Sequence, residues 1–400
     1  MLHTTQPTTR TMVAIGLLDI PPEMQLQIAE FAETGQTLKA LSVTSRSLRS
    51  IAQSLLFERF RIDLGKELRG SIDDLLANPQ ICAAIRVLEL RGFLLLRSGI
   101  PRSDEEKLSL IQKLLPEMVG LRGVWIYQVN LSMDFMAPFL EIAAKIPLRV
   151  KLGSNIYPPG ISSMSNSPLL LSHLHLGSSI DHPSLDFYRV LFRASAATLI
   201  ELNVRADGDG LMRLADIDLP CLHNLILLIT TENELSRTSA AAFITAQRAI
   251  RKLDLRGNFR SLHPLPPSAL PDLREINGPT ELVNQLVPGR PVEAIGVNTF
   301  QGSDQDWFGE EVARSTTRVR KLTVHLNIAI LETRMVTRMV TILPSLESLS
   351  LSVFDDVSSP FARDHLNLFT LRHSSKSSKF SLPSSASRTY ALICIVAKHG

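Results

Sequence analysis

A six-residue pattern that returns along most of the chain constrains its fold more than any other feature. Apolar-x-x-apolar-x-apolar appears as IRVLEL from Ile85, LRGVWI from Leu121, LSHLHL from Leu171, LIELNV from Leu199 and LHNLIL from Leu222. It continues as IRKLDL from Ile250, VEAIGV from Val292, VRKLTV from Val319 and LESLSL from Leu346, with shorter copies LRVKL from Leu148 and LREIN from Leu273. Leu88, Val124, Val150, Leu174, Leu202, Leu225, Leu253, Ile276, Ile295, Leu322 and Leu349 are taken as equivalent. The successive gaps are then 36, 26, 24, 28, 23, 28, 23, 19, 27 and 27 residues. Leucine-rich units recur at roughly 20–29 residues, and most of these gaps lie there. The copy from Ile250 also carries the Asn of such units, at Asn258.

Helix-compatible stretches separate the hexads: 104–118, 133–145, 183–197, 236–250 and 305–318. Each unit is thus expected to be one short strand plus a helix or loop. A single unit cannot bury its apolar face, whereas stacked units share a continuous core. The expected fold is α/β, an irregular leucine-rich-repeat solenoid over 85–372. Its parallel strands line the concave side, and helices and loops lie on the convex side. The proline-rich run LHPLPPSALPDL at 262–273 suits a return without a helix, and DGDG at 207–210 reads as a turn. A doubly wound enzyme domain fits poorly, because the hexads are short and regular and no Gly-rich phosphate loop follows any of them.

Side chains alternate along a strand, so the residues around and between the last two apolar positions project from the sheet. They are Glu89, Arg91, Trp125, Tyr127, Arg149, Lys151, His173, His175, Glu201, Asn203 and Arg205, then Lys252, Asp254, Arg256, Lys321, Thr323 and His325. Trp, Tyr and Arg are favoured interface anchors. The expected protein-binding set is Trp125, Tyr127, Arg149, Lys151, His175, Arg205, Lys252 and Arg256.

The segment before the repeats is different. Pro21 and Pro22 open a helix with Met24, Ile28 and Phe31 in one stripe, proline being tolerated where N–H groups lack intrahelical partners. Gly35 is expected to end it, Thr37 to cap a second helix with Leu38 and Leu41, and Ser45 to start a third. In the third, Leu48, Ile51, Ala52 and Leu55 line one side, opposite Arg46, Arg49 and Gln53. Three helices in so few residues make a thin core that leans on something else.

IPPEM from Ile20, then Ile28 and Phe31, then LKALSVTSRSLRSIA from Leu38 resemble the F-box, the segment by which substrate receptors dock on the Skp-type adaptor of SCF ubiquitin ligases. The resemblance runs in order through all three helices over about a tenth of the chain. The family's opening Leu-Pro is Ile20-Pro21 here, and its aromatic near Leu48 is absent. As a whole the chain resembles F-box proteins with C-terminal leucine-rich repeats. The resemblance implies adaptor contacts at Ile20, Pro21, Met24, Ile28, Leu38, Val43, Arg46 and Leu48. It implies as partners the adaptor, through it a cullin–RING ligase, and an unknown protein substrate. The expected organisation is a leader at 1–14, the three-helix domain at 15–62, a linker at 63–84, the repeats, and a tail at 373–400. A leucine-rich scaffold without a ligase role stays open as the alternative.

Other functions find little support. A net charge of +3, from 42 Lys plus Arg against 39 Asp plus Glu, gives no sign of nucleic-acid or polybasic membrane binding. Three scattered cysteines fit a reducing compartment. No stretch approaches the ~18 apolar residues of a membrane span, so a cytoplasmic or nuclear protein is expected. His173 and His175 alternate on one strand, with Asp181 and His182 following, but a zinc site needs three or four ligands. DGDG lacks the closing Glu of a calcium loop. No catalytic residue, metal or cofactor is expected. The serine-rich run 374–388 cannot offset its ordering entropy.

Overall fold

The computed structural model describes residues 20–30, 35–44, 46–64, 69–92, 103–129, 133–153, 168–180, 182–231, 233–257, 261–300, 308–327 and 341–354. The leader and the serine-rich tail lie outside them, as do Phe31 and Ser45. The chain divides into two compact units, Met1–Trp125 and Ile126–Gly400.

The first unit begins with helices α1 (Pro22–Glu30), α2 (Gly35–Thr44) and α3 (Arg46–Glu58). The amides of Met24 and Gln25 both donate to the Pro21 carbonyl at 3.0 Å, so the Pro-Pro pair opens the helix as its chemistry suggests. Gly35 is the first residue of α2, not the stop of α1, which places Thr37 inside the first turn. Helix α3 packs against both of its predecessors, and Leu48 and Ala52 are buried on its inner side. Arg46, Arg49 and Gln53 face solvent. In α1 the buried pair is Gln25 and Ala29; the apolar Met24 and Ile28 point outward. Gln25 belongs inside because its amide donates to the Ile20 carbonyl at 3.0 Å, which satisfies a polar group that burial would otherwise penalise.

The stretch expected to be a linker is structured. Strand β1 (Arg59–Asp63) leads into helices α4 (Arg69–Leu76) and α5 (Pro79–Ala84), and then into β2 (Val87–Arg91). The two strands pair in parallel, Phe60 opposite Leu88 and Ile62 opposite Leu90. Parallel pairing therefore starts before the first hexad read from the sequence. Helix α6 (Ser103–Leu114) runs into a 3-10 turn at Leu115–Glu117, and strand β3 (Gly123–Tyr127) carries the boundary between the units.

After helix α7 (Met133–Ala143), the second unit contains strands β4 (Leu148–Gly153), β5 (Leu171–Ile180), β6 (Glu201–Ala206), β7 (Asn224–Ile229) and β8 (Lys252–Gly257). Strands β9 (Glu275–Gly278), β10 (Ala294–Phe300), β11 (Lys321–Asn327) and β12 (Ser348–Phe354) follow. From β5 on, each is parallel to its predecessor. One row of facing residues runs Val150, Leu174, Leu202, Leu225, Leu253, Ile276, Ile295, Leu322, Leu349. These are the positions equated by the hexads. All but Val150, which is half-buried, are in the core. The unit is an open, repeat-built α/β sheet.

A second regularity runs along the strand starts. The carbonyls of Ile200, His223, Arg251, Arg274, Glu293 and Arg320 each accept two successive amides from the following repeat, at 2.7–3.1 Å. The Ile200 carbonyl, for example, takes His223 and Asn224. Buried backbone groups need partners, and here each turn is satisfied by its neighbour.

Helices α8 (His182–Ser195), α9 (Gly208–Leu214), α10 (Glu234–Ala246), α11 (Thr280–Leu286) and α12 (Phe308–Val312) fill the returns. Between β8 and β9 the described residues form neither helix nor strand, as the prolines demand. DGDG is not a plain turn. The Asp207 carboxylate accepts from the Gly210 amide at 2.9 Å and caps α9. Gly208 is required by a tertiary contact, since a Cβ there would lie 2.7 Å from the Ser236 backbone nitrogen. Gly208→Ala is expected to lower stability by about 1–3 kcal/mol in urea denaturation, the usual range for overpacking.

Candidate functional site

The predicted adaptor contacts separate by burial. Leu48 is only 2% exposed and holds the helices together, so its role is core, not contact. Ile20 and Leu38 are half-buried, and Pro21 and Arg46 are exposed. Met24, Ile28 and Val43 are 51%, 42% and 75% exposed, and Leu26, which the pattern missed, is also open to solvent. Met24 and Ile28, four apart, share one face of α1. Large apolar side chains placed outward on a unit that has its own core are a mark of an interaction surface.

In the same unit, Glu89 does not project into solvent as alternation predicts; it is 1% exposed. The Arg59 Nε and Nη2 donate to one carboxylate oxygen at 2.9 and 2.6 Å, and Arg91 donates to the other. Burial pushes the carboxyl up, but hydrogen bonds from Arg59 and then Arg91 outweigh it and hold the group below the usual carboxylate range. The Arg59 guanidinium also lies 4.0 Å over the Trp125 ring, in cation–π range. Trp125 is thus tied into a clamp and remains only half-exposed. Arg59 escaped the sequence reading, although FERFRI from Phe57 obeys the hexad rule and sets Phe60 28 residues before Leu88.

The remaining predicted binding residues, Tyr127, Arg149, Lys151, His175, Arg205, Lys252 and Arg256, all belong to the second unit. The Lys151 ammonium lies 5.8 Å from the Tyr127 ring centroid. The ring covers Gly153, where a Cβ would approach Tyr127 Cδ1 to 2.8 Å. Cross-strand neighbours form two rows from β4 to β8. One is Arg149, His173, Glu201, Asn224, Lys252; the other is Lys151, His175, Asn203, Ile226, Asp254. A third, shorter row is Arg205, Leu228, Arg256.

No known protein-family model matches this chain, and no curated protein matches it. Its surfaces are read from their own chemistry.

Both histidines are held below the ordinary imidazole value. Burial is the first cause, seconded by Arg149 for His173 and by Lys151 for His175, with Glu201 opposing in each case. The Asn203 amide donates to His175 Nδ1 at 3.2 Å, which fits a neutral ring. His173 Nε2 stands 3.9 Å from Glu201. No group of three or more His, Cys, Asp or Glu side chains able to hold a metal ion gathers among the described residues. No helix among them is long and apolar enough to cross a membrane.

Charge is unevenly matched along this face. Lys252 pairs with Glu275 at 2.8 Å, and Arg256 grips the buried Asp254 through Nε and Nη2, the latter at 2.6 Å. Arg149 and Arg205 are exposed, and their side chains make no ion pair or hydrogen bond among the described residues. Ile226 and Leu228 stand half-exposed among these polar side chains. Sequence reasoning missed both, because the five residues after Asn224 are all apolar and hide their alternation; only the buried Leu225, Leu227 and Ile229 reveal it.

Proposed function

We propose that this chain is the substrate-recognition adaptor of an SCF-type ubiquitin ligase. Helices α1–α3 dock on a Skp-type adaptor and through it on a cullin–RING ligase, and the open sheet face holds the protein to be ubiquitinated. The chain contributes proximity and orientation, while its partners supply the chemistry. One observation carries the reading. The three-helix segment closes its core around Leu48 and Ala52 yet leaves Met24, Ile28 and Val43 outward, and these are positions at which the F-box resemblance places adaptor contacts.

Co-purification of the full chain with a Skp-type adaptor tests it. The wild type is expected to bind, and Met24→Asp with Ile28→Asp to reduce binding at least about tenfold, or roughly 1.4 kcal/mol, without loss of helical circular dichroism. Leu48→Ala separates the two roles: it is expected to cost about 2–5 kcal/mol of stability, as buried leucine truncations do. A wild-type chain that ignores the adaptor overturns the ligase reading, and binding untouched by the double substitution moves the contact elsewhere.

A further inference from the structure

The sheet face carries more than a generic binding surface. Three features of the second unit meet on β4–β8. First, the Arg149 and Arg205 side chains project from β4 and β6 with no ion pair among the described residues, against Glu201 alone on β4–β6. Second, the acids of β8 and β9 are already engaged, Asp254 by Arg256 and Glu275 by Lys252. Third, two aliphatic side chains stand on this polar face. Leu228 lies directly between Arg205 and Arg256, one strand to each side, and Ile226 lies beside it between Asn203 and Asp254.

Strand spacing fixes the dimensions. Neighbouring strands are about 4.8 Å apart, so the Arg205 and Arg256 backbones lie roughly 10 Å apart with an apolar side chain midway. An extended peptide advances about 3.3 Å per residue. Its side chains alternate, so those facing the sheet recur about every 6.6 Å; with an apolar residue over Leu228, the residues two before and two after it face Arg205 and Arg256.

Resting on the reading of this face as a protein-binding surface, we propose that its ligand is an extended acidic segment of a partner protein. The segment sets one aliphatic or aromatic residue on Ile226 and Leu228, with Asp or Glu side chains on both flanks. The flanking carboxylates meet Arg205 and the outer edge of Arg256, and further acids extend toward Arg149 and Lys151. Carboxylates fit better than phosphate, because the cations are single side chains on separate strands and do not converge on one point, as the recognition of a compact dianion favours. Charge complementarity of this kind sets partner choice and association rate more than raw affinity.

Fluorescence anisotropy of the full chain with labelled synthetic peptides tests the proposal. The peptide GSEELEEGS is expected to bind at least about tenfold more tightly than GSQQLQQGS and than GSEESEEGS, and to weaken as salt screens it. Arg205→Gln and Leu228→Ser, each a face substitution outside the core, are expected to weaken it about fivefold or more. Lys321→Gln, an exposed cation of β11 on the same sheet, is expected to leave it unchanged. If the glutamine and glutamate peptides bind alike and Leu228→Ser weakens both, the face binds peptides but the acidic class is wrong. If no peptide binds, the proposal is overturned together with the view of this face as a peptide-binding surface. Binding more than tenfold tighter with phosphoserine in place of the outer glutamates overturns the assignment to carboxylates.

Discussion

Replacing Arg59 and Arg91 together by methionine is expected to cost about 3 kcal/mol and to reverse the contribution of Glu89 to stability as pH falls. The carboxylate is 1% exposed, and the two guanidiniums donate hydrogen bonds to it. Removing the cations leaves a buried charge unpaired, which costs about 3–5 kcal/mol in comparable cases. The lower end applies because both arginine side chains are about half exposed and water screens them. In the wild type the folded carboxyl is held below its unfolded value. Its stabilising contribution is therefore complete above the unfolded value near 4.3 and is lost as pH falls through the folded one. Without the arginines, burial acts alone and raises the folded value, so protonation relieves the variant as pH falls. Urea denaturation at neutral and mildly acidic pH reads both effects. Glu89→Gln is expected to cost less, about 1–2 kcal/mol, since the arginines it frees reach water. Equal losses for the two changes would sink the clamp account.

The second large effect is expected at Arg290. Its side chain is buried and finds no carboxylate among the described residues; instead it serves backbone carbonyls. Nε donates to Ala269 at 3.0 Å and Nη1 to Leu286 at 2.9 Å, with Pro288 and Pro266 at 3.5 Å. Burial holds its pKa below the ordinary arginine value. One planar group thus ties the proline-rich return to the end of α11, where helix carbonyls lack intrahelical donors. Arg290→Met leaves these carbonyls unserved and is expected to cost about 3 kcal/mol. Arg290→Lys is expected to recover less than half, because a single ammonium cannot span both arms of the fork. Denaturation measures the loss. Accelerated amide exchange at Ala269, whose amide donates to Pro266 at 2.9 Å, is expected to locate it.

The parts of the fold most legible in the sequence are those that local pattern dictates. Equating Val150 through Leu349 by the hexads reproduces the register of nine strands, because period-two alternation and strand pairing respond to the same buried row. Where tertiary contacts decide, the pattern misleads. Phe57 opens a hexad while still in the last turn of α3, so a helix hides the start of β1. DGDG has turn composition, yet Gly208 is there to admit the backbone of α10. Glu89 occupies a solvent position by alternation and is buried because two arginines fold over it. On α1 the apolar spacing marks a helix, but burial falls on Gln25 and Ala29, a choice set by the neighbouring helix and not by α1 itself.

The doubly accepting carbonyls at the strand starts carry a further consequence. Hexads in the second unit recur at intervals as different as 19 and 28 residues, yet each strand from β7 to β12 begins with two successive amides that donate to one carbonyl of the preceding turn. Differences in length are therefore absorbed entirely in the returns, and none is passed on to the strand that follows. Residues can be gained or lost between β7 and β8, or β9 and β10, without moving Arg205 relative to Arg256. The back of the sheet is free to diversify while the spacing of groups on its front stays fixed, as the marks on a ruler do.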